Sequence, residues 1–168
     1  MHQAPAPTAT SLSERLLRLL DASGARYRLL EHAVEGQTAR ASELRGHRLS
    51  AAAKSLVITV RGGDAPQRHV LAVIPGDRRV DLAGVARLCG GRKARFTERA
   101  LAERLAGSVS GSIIPVSLQS GIEVLADPAL FQEPVLYFNA ARLDLSVALH
   151  SEDYRSLTQP TVAVITEP

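Results

Sequence analysis

Apolar positions recur at helical spacing near the start of the chain. Ser11 and Glu14 stand three residues apart, which is the spacing of a capping box at the beginning of a helix. The apolar stripe that follows consists of Leu12, Leu16, Leu17, Leu19 and Leu20. Gly24 comes soon after this stripe, where a glycine commonly ends a helix. The pattern predicts an amphipathic helix between Ser11 and Gly24.

Runs rich in β-branched and other apolar residues predict a set of strands. They cover residues 27–32, 54–61, 68–75, 122–126, 135–138, 145–149 and 161–165. The second and third runs flank the loop sequence Gly-Gly-Asp-Ala-Pro at 62–66, which favours a β-hairpin.

Three shorter helices are predicted between these strands. One covers residues 38–45 and is ended by Gly46. Asp81 is placed to cap a helix over residues 82–88, and Thr97 is placed to cap another over residues 98–106. Helices and strands are interspersed without an internal repeat, which predicts an α+β (mixed α/β) fold in a single domain.

The composition is typical of one compact domain. Of the 168 residues, 45% are hydrophobic and 22% are charged, so the chain can bury a core of its own. We expect residues 1–10 to form a flexible leader and residues 11–168 to form the domain. The first residues lack the basic and apolar regions of a secretion signal, and no run approaches the roughly 20 apolar residues of a membrane span. We therefore expect a cytoplasmic protein with no membrane partner.

Charge and cysteine content narrow the choice of partners only a little. The net charge is +3 and the isoelectric point is near 9.5, mostly because of arginine, which suits contacts with phosphate. This balance is compatible with localised nucleic-acid contact, but it is also common among proteins that bind no polyanion. The single cysteine cannot form an internal disulfide, and no Cys/His group has zinc-ligand spacing. We expect neither a metal nor a cofactor.

The motifs of several common enzyme classes are missing from the sequence. There is no phosphate-binding P-loop, no GxGxxG, no HExxH and no CxxC. Two features remain, which are Lys54 at the start of an apolar strand and the Gly/Ser-rich loop at residues 107–115. A lysine at a strand end usually extends into solvent, and such a loop usually only turns the chain. The alternative is that the lysine meets a ligand while the loop exposes its main chain to that ligand.

Three other features have both a structural and a functional interpretation. His32 ends a predicted strand and is either a structural histidine or a general base. Cys89 lies on an apolar helical face, which favours a place in the core over a role as nucleophile. The basic segment with Arg92, Lys93 and Arg95 is either a solvated loop or a contact for a phosphate backbone.

Four segments occur in an order that is typical of one family. They read AAAKSLVITV at 51–60, HVLAVIPGDRRVDL at 69–82, GSVSGSIIPVSL at 107–118 and LYFNAARLDLSV at 136–147. In this order they resemble the YbaK/proline-tRNA-synthetase-associated editing domain family, and the likeness extends over residues 11–157. Members of that family hydrolyse wrongly charged aminoacyl-tRNA. The resemblance implies a twisted mixed β-sheet or partial barrel covered by helices.

The resemblance also implies roles for individual residues. Lys54 matches the family's lysine beside the tRNA 3′ end, and Gly111 begins its G-x-x-x-P loop, so we expect both to be catalytic. The expected substrate-binding residues are Ser112, Ile113, Pro115, Asn139 and Asp144, to which His32 is added from its position at the end of a strand. Residues expected to contact the tRNA through their charge are Arg45, Arg48, Arg92, Lys93 and Arg95. We expect Lys54, Gly111 and Asn139 to converge on one cleft.

These features predict a free-standing, YeaK-like trans-editing deacylase that removes a small mischarged amino acid (serine, threonine or alanine) from tRNA. Its partner is then mischarged aminoacyl-tRNA, with a synthetase partner left open and no DNA partner expected. Ser55 stands where alanyl-specific members have asparagine, and Ile114 stands where close relatives often have proline, so both bear on amino-acid specificity. The alternatives are a non-catalytic module that binds aminoacyl-tRNA or a synthetase, and a hydrolase of another small acyl ester.

Overall fold

The structure is a computed structural model that describes residues 10–168. Of the predicted leader, residues 1–9 lie outside the described residues. The helices are α1 (Leu12–Ala22), α2 (Thr38–Arg45), α3 (Leu82–Leu88), α4 (Arg99–Ala106) and α5 (Ser151–Thr158). The strands are β1 (Tyr27–Glu31), β2 (Ala53–Arg61), β3 (Arg68–Pro75), β4 (Lys93–Phe96), β5 (Glu123–Ala126), β6 (Val135–Arg142), β7 (Leu145–His150) and β8 (Thr161–Val162). No helix within residues 10–168 is long and apolar enough to cross a membrane.

The strands form two sheets rather than one. The smaller sheet has the order β1-β7-β6 and is antiparallel throughout. The larger sheet has the order β4-β2-β3-β5-β8, in which β2 is antiparallel to both neighbours while the pairs β3-β5 and β5-β8 are parallel. A single bridge between Ala52 and Tyr137 links the two sheets. The predicted α+β class is confirmed, and the sheets do not close into a barrel.

Strand β2 is buried on both faces, which explains its nearly continuous apolar sequence. Val57 belongs to a core that also includes residues of both sheets, α1 and α5, whereas its neighbour Ile58 belongs to a second core with Val85 of α3. Successive side chains of a strand point to opposite faces, so one strand supplies both cores. Lys54 lies at the beginning of this strand. Because β2 is packed on both faces, the position of the Lys54 backbone is fixed.

The first helix has the ends that the sequence predicts. The Ser11 side chain accepts from the Glu14 amide, and the Glu14 side chain accepts from the Ser11 amide, so the capping box is complete. Leu16 and Leu20 are fully buried. Gly24 has a φ of +66°, which a residue without a side chain adopts at little cost.

Several sequence predictions are wrong in detail. The basic segment at 92–96 contains strand β4, not only a loop, and helix α5 has no counterpart in the prediction. Thr97 does not cap α4, because Glu98 accepts from the first helical amides while the Thr97 hydroxyl lies 2.8 Å from that of Thr59. Strand β8 is two residues long, shorter than the predicted run at 161–165. The other predicted helices and strands are present.

Candidate functional site

A cleft of about 180 Å³ opens between α2, the beginning of β2 and the middle of β6. Lys54, Gly111 and Asn139, which the sequence predicts to converge, all line it. Ile113, a predicted substrate-binding residue, and Arg45, a predicted tRNA contact, also line this cleft. The cleft takes its walls from both sheets, so neither sheet alone forms the site.

Lys54 is half-buried at the rim of the cleft. Its Nζ donates to the carbonyl oxygen of Arg78 at 2.9 Å, which leaves two of its three N–H groups for other partners. Burial lowers the pKa of Lys54, and nearby Arg79 lowers it further while Asp77 opposes the shift. The partly desolvated ammonium interacts more strongly with a developing negative charge than it would in water.

Gly111 brings two loops into direct backbone contact. Its φ is +92°, and a Cβ built on it would lie 2.7 Å from Cα of Gly36, so only glycine fits without movement. The Gly111 amide N–H donates no hydrogen bond to any atom within residues 10–168. This donor belongs to a residue that lines the cleft, and it is available to a ligand there.

The loop that contains Gly111 is held at both ends. The Glu103 carboxylate of α4 accepts from the Ser110 amide at 3.0 Å, and this bond, together with Arg99, lowers the pKa of Glu103 to about 2. At the far end, the buried Tyr154 of α5 donates its hydroxyl to the Pro115 carbonyl at 2.8 Å. Two helices therefore set the position of the loop.

The side chain of Asn139 bridges the loop that contains Gly36 and the loop that contains Gly111. Its Nδ2 donates to the carbonyl oxygens of Glu35 and Gly111, each at 2.8 Å. Its Oδ1 accepts from the hydroxyl of Ser146, the residue opposite it on β7, at 2.9 Å. A β-bulge follows Asn139 in β6, and bulges commonly redirect a side chain at a functional position. The amide thereby fixes the Gly111 main chain beside the cleft.

Arg45 enters the cleft from the last turn of α2. Its Nη1 lies 3.4 Å from Oδ1 of Asn139 and 3.2 Å from Oγ of Ser146. Its Nε donates to Nε2 of His47 at 2.9 Å. Burial lowers the pKa of Arg45 to about 10. The ring of His47 in turn stacks on Tyr137, another cleft residue, with centroids 3.8 Å apart.

Other predicted site residues lie outside the lining of the cleft. Ser112 is fully buried and donates to the Val109 carbonyl, and Pro115 is the acceptor for Tyr154. Asp144 is paired with Arg142 at the surface. His32 reaches the site only indirectly, since its Nε2 lies 2.6 Å from Oγ of Ser146.

Apart from Arg45, the predicted tRNA contacts are dispersed over the surface. Arg48 pairs with Glu133 at 3.0 Å, and Arg92 precedes β4, the edge strand that carries Lys93 and Arg95. Near β4, a wider groove of about 510 Å³ adjoins the cleft and shares Gly36, Gly111 and Ile113 with it. This groove continues past Phe96 and Arg99. A ligand longer than one residue can therefore extend from the cleft toward the basic edge strand.

The sequence alone did not single out two residues of the cleft, Gly36 and Tyr137. Only the contact of Gly36 with Gly111 and the stacking of Tyr137 on His47 distinguish them. Ser55, which the family resemblance connects with amino-acid specificity, also lines the cleft. The Ser55 Oγ is buried and has no hydrogen-bond partner within residues 10–168. Buried hydroxyl groups are normally paired, so this one is a candidate to bind a ligand or an ordered water.

The chemistry available in the cleft is that of cations, amides and main-chain groups. Its described lining contains no histidine, cysteine or carboxylate side chain. Among residues 10–168, no group of three or more His, Cys, Asp or Glu side chains is arranged to hold a metal ion. This set of groups can position a reactive compound and stabilise negative charge, and its only side-chain nucleophiles are the Lys54 amine and hydroxyl groups.

Comparison with known proteins gives one consistent result. The family model described as "Aminoacyl-tRNA editing domain" matches residues 34–157. The Multifunctional Ser/Thr-tRNA deacylase ProXp-y of Escherichia coli strain K12 is 38% identical over 148 residues, which is 88% of this chain and 88% of that protein.

Solved structures share the fold. A structure described as a candidate trans-editing enzyme for prolyl tRNA synthetase superposes with a TM-score of 0.79 at 22% identity, covering 96% of this chain and 100% of the other. A protein described only as hypothetical superposes with a TM-score of 0.82 at 25% identity, covering 92% of this chain and 100% of the other. The first of these likenesses bears on the fold alone.

Proposed function

Because the chain belongs to the aminoacyl-tRNA editing domain family, we propose that it is a free-standing deacylase that hydrolyses mischarged aminoacyl-tRNA in trans. The amino acids we propose as substrates are small ones, namely serine and threonine, with alanine as a further candidate. The E. coli relative is named as a Ser/Thr-tRNA deacylase, which supports the first two. We also propose that the protein acts in the cytoplasm, because its proposed substrate is aminoacyl-tRNA.

The observation that carries this proposal is the meeting of Lys54, Gly111 and Asn139 in one cleft whose described lining contains no histidine or carboxylate side chain. An aminoacyl ester is already activated toward hydrolysis. Its cleavage requires an oriented water and stabilisation of the oxyanion, both of which this cleft can supply. The absence of a nucleophile–base pair from the described lining is therefore compatible with catalysis.

We assign Lys54 to substrate binding and to stabilisation of the negative charge that develops during hydrolysis. Its ammonium holds the terminal phosphate or ribose and favours the negative charge that develops on the ester carbonyl as water attacks. Its lowered pKa reflects partial desolvation, which increases the strength of this interaction. Loss of the amine should reduce the rate at least as much as it weakens binding.

We assign Gly111 to orientation of the water or the ester carbonyl. Its amide N–H is available as a donor, and Asn139 holds its carbonyl in place. Because the lining offers no general base, the vicinal hydroxyl of the terminal ribose is our candidate for the group that helps to activate the water. In this arrangement, the Gly111 main chain orients the reacting groups and the substrate itself helps to activate the water.

Selectivity for small side chains follows from the shape of the cleft. Ile113 narrows it, which excludes large amino acids by contact. A difference of one methyl or hydroxyl group changes discrimination only about 10- to 200-fold, so overlapping substrates are expected. Basic residues of β4 and Arg48 are our candidates for contacts with the acceptor stem, and these contacts should weaken as salt rises.

The test is hydrolysis of a panel of tRNAs charged with alanine, serine, threonine, cysteine and proline. Wild type, Lys54→Ala and Arg18→Ala are compared, since Arg18 is an exposed cation of α1 far along the chain from the cleft residues. We expect hydrolysis of seryl and threonyl esters that disappears in Lys54→Ala and persists in Arg18→Ala. Tight binding of charged tRNA without turnover would refute the proposed deacylase activity. It would favour the alternative of a non-catalytic module that binds aminoacyl-tRNA. Equal turnover of simple aminoacyl esters and aminoacyl-tRNA would favour the small-ester hydrolase.

A further inference from the structure

Arg45 is a partly buried cation whose hydrogen-bond partners are all neutral. Its guanidinium bonds to His47, Asn139 and Ser146, and it forms no ion pair with any carboxylate of residues 10–168. Its Nη2 has no hydrogen-bond partner within residues 10–168. Nearby Arg48 differs, because it is exposed and pairs with Glu133. Like Lys54, whose one hydrogen-bond acceptor is the Arg78 carbonyl, Arg45 therefore brings to the cleft a positive charge that no carboxylate of residues 10–168 balances.

An unbalanced buried charge is costly, so its retention needs a physical reason. Desolvation lowers the pKa of Arg45 to about 10, yet the group still carries its charge at neutral pH. The imidazole of His47 cannot supply a countercharge. Its Nδ1 lies 2.8 Å from the Arg48 carbonyl and its Nε2 accepts from Arg45, which is the pattern of a neutral ring. A negatively charged ligand in the cleft would supply the missing countercharge.

The proposed substrate identifies which anion this is, so the inference rests on the proposed function. In an aminoacyl ester the carboxyl group of the amino acid is esterified and carries no charge, while its α-amino group is basic. The negative charge nearest the ester belongs to the phosphodiester on the 5′ side of the terminal nucleotide. We propose that Arg45 binds this phosphodiester and so sets the position of the terminal nucleotide in the cleft.

The spacing of the groups supports this assignment. Arg45 Nη1 and the Gly111 carbonyl are bridged by one side chain, that of Asn139, with bonds of 3.4 and 2.8 Å. In the substrate, the 5′ phosphate and the ester oxygen are likewise separated by a single ribose ring. With the ester beside Gly111, we assign the phosphate to Arg45 and leave Lys54 for the ribose and the oxyanion. Nη2 of Arg45, which has no partner within residues 10–168, is the nitrogen that would donate to a phosphate oxygen.

The first test compares two substrates that differ in the 5′ phosphodiester and in the cytidine attached to it. These are the seryl ester of adenosine and the seryl ester of cytidylyl-(3′→5′)-adenosine. Arg45→Gln should lower kcat/KM for the dinucleotide ester about 10- to 100-fold, the usual loss for a hydrogen bond to a charged group. The ester of adenosine should change less than about 3-fold. Arg40→Gln, on the exposed face of the same helix, is the matched control for loss of a cation.

The second test measures binding without turnover, which a purely structural role of Arg45 would not affect selectively. Adenosine 5′-monophosphate should inhibit wild type more strongly than adenosine does, and this difference should vanish in Arg45→Gln. Arg45→Lys should restore part of it, because a charge remains. Thermal melting of each variant checks that the fold is retained.

Equal losses on both esters, or an undiminished preference of Arg45→Gln for the monophosphate, would overturn the inference. Failure of the proposed function has a different signature, since wild type would then hydrolyse neither ester. Turnover of both esters by wild type, with no dependence on Arg45, would refute only the phosphate site.

Discussion

Replacement of Gly111 by alanine tests the most constrained point of the cleft. The new Cβ would lie 2.7 Å from Cα of Gly36, whereas ordinary contact begins at 3.4 Å, so the two loops must separate by about 0.7 Å. The Asn139 amide spans these loops with two bonds of 2.8 Å. If one of them takes up the whole movement, it lengthens to about 3.5 Å, the limit of a useful hydrogen bond.

Two contributions to the free energy of unfolding follow. A φ of +92° strains any residue with a side chain by about 1–2 kcal/mol, and the weakened amide bond costs about 0.5–1.5 kcal/mol. Together they predict that Gly111→Ala is less stable by about 1.5–3.5 kcal/mol, or about 3–14 °C in Tm for a chain of this size. Displacement of the main chain near 1 Å should also lower kcat/KM roughly 100-fold.

The control is Gly24→Ala. Gly24 also has a positive φ, +66°, but a Cβ there meets nothing within 4 Å, so this variant shows the backbone strain without the collision. It should lose about 1–2 kcal/mol and keep its activity. Thermal melting and seryl-tRNA hydrolysis are measured on both variants. If Gly111→Ala melts no lower than Gly24→Ala and retains wild-type kcat/KM, the loop contact does not position the reaction.

Three further predictions concern the surroundings of the cleft. Tyr154→Phe leaves the buried Pro115 carbonyl without its donor and should cost about 1–3 kcal/mol in unfolding free energy, measured by chemical denaturation; unchanged stability would contradict this. Because the folded-state pKa of Glu103 is lowered to about 2, its contribution to stability is complete above pH 4.5 and lost as pH falls toward 2. The difference in Tm between wild type and Glu103→Gln should therefore shrink over that interval, and a constant difference would show that the Ser110 contact does not depend on the charge. Ser55→Ala removes a buried hydroxyl that has no hydrogen-bond partner within residues 10–168, so it should raise Tm by a few degrees. It should also lower the preference for seryl over alanyl esters. A lower Tm would mean that the hydroxyl has a hydrogen-bond partner in the folded protein.

Elements with strong local signals were predictable from the sequence. The capping box of α1 and the apolar runs of β2 and β3 depend on neighbours in the chain, so their patterns survive in the structure. Strand β4 has only a weak signal, because its alternation of polar and apolar residues, Lys-Ala-Arg-Phe, lasts four residues and three of them are exposed at the edge of a sheet. Helix α5 buries only Ser151 and Tyr154, too few apolar positions to mark a helical face.

The site was predictable only as far as the family resemblance reached. Lys54, Gly111 and Asn139 lie in segments that match the family, and the structure places all three around one cleft. The interaction of Arg45 with Asn139 and Ser146 joins residues about 100 positions apart, and no periodicity reports such a contact. Gly36 is likewise marked only by its approach to Gly111.

The division of the strands between two sheets also determines when the cleft can form during synthesis. In the smaller sheet, β7 lies between β1 and β6, so pairing must wait until the chain has been made to about residue 150. A nascent chain that ends before β6 already contains Lys54 and Gly111 but lacks the wall that carries Asn139. Contacts between distant parts of a chain also form late and slowly during folding. Activity therefore appears only in the nearly finished protein, and its recovery after dilution from denaturant reports the docking of the two sheets.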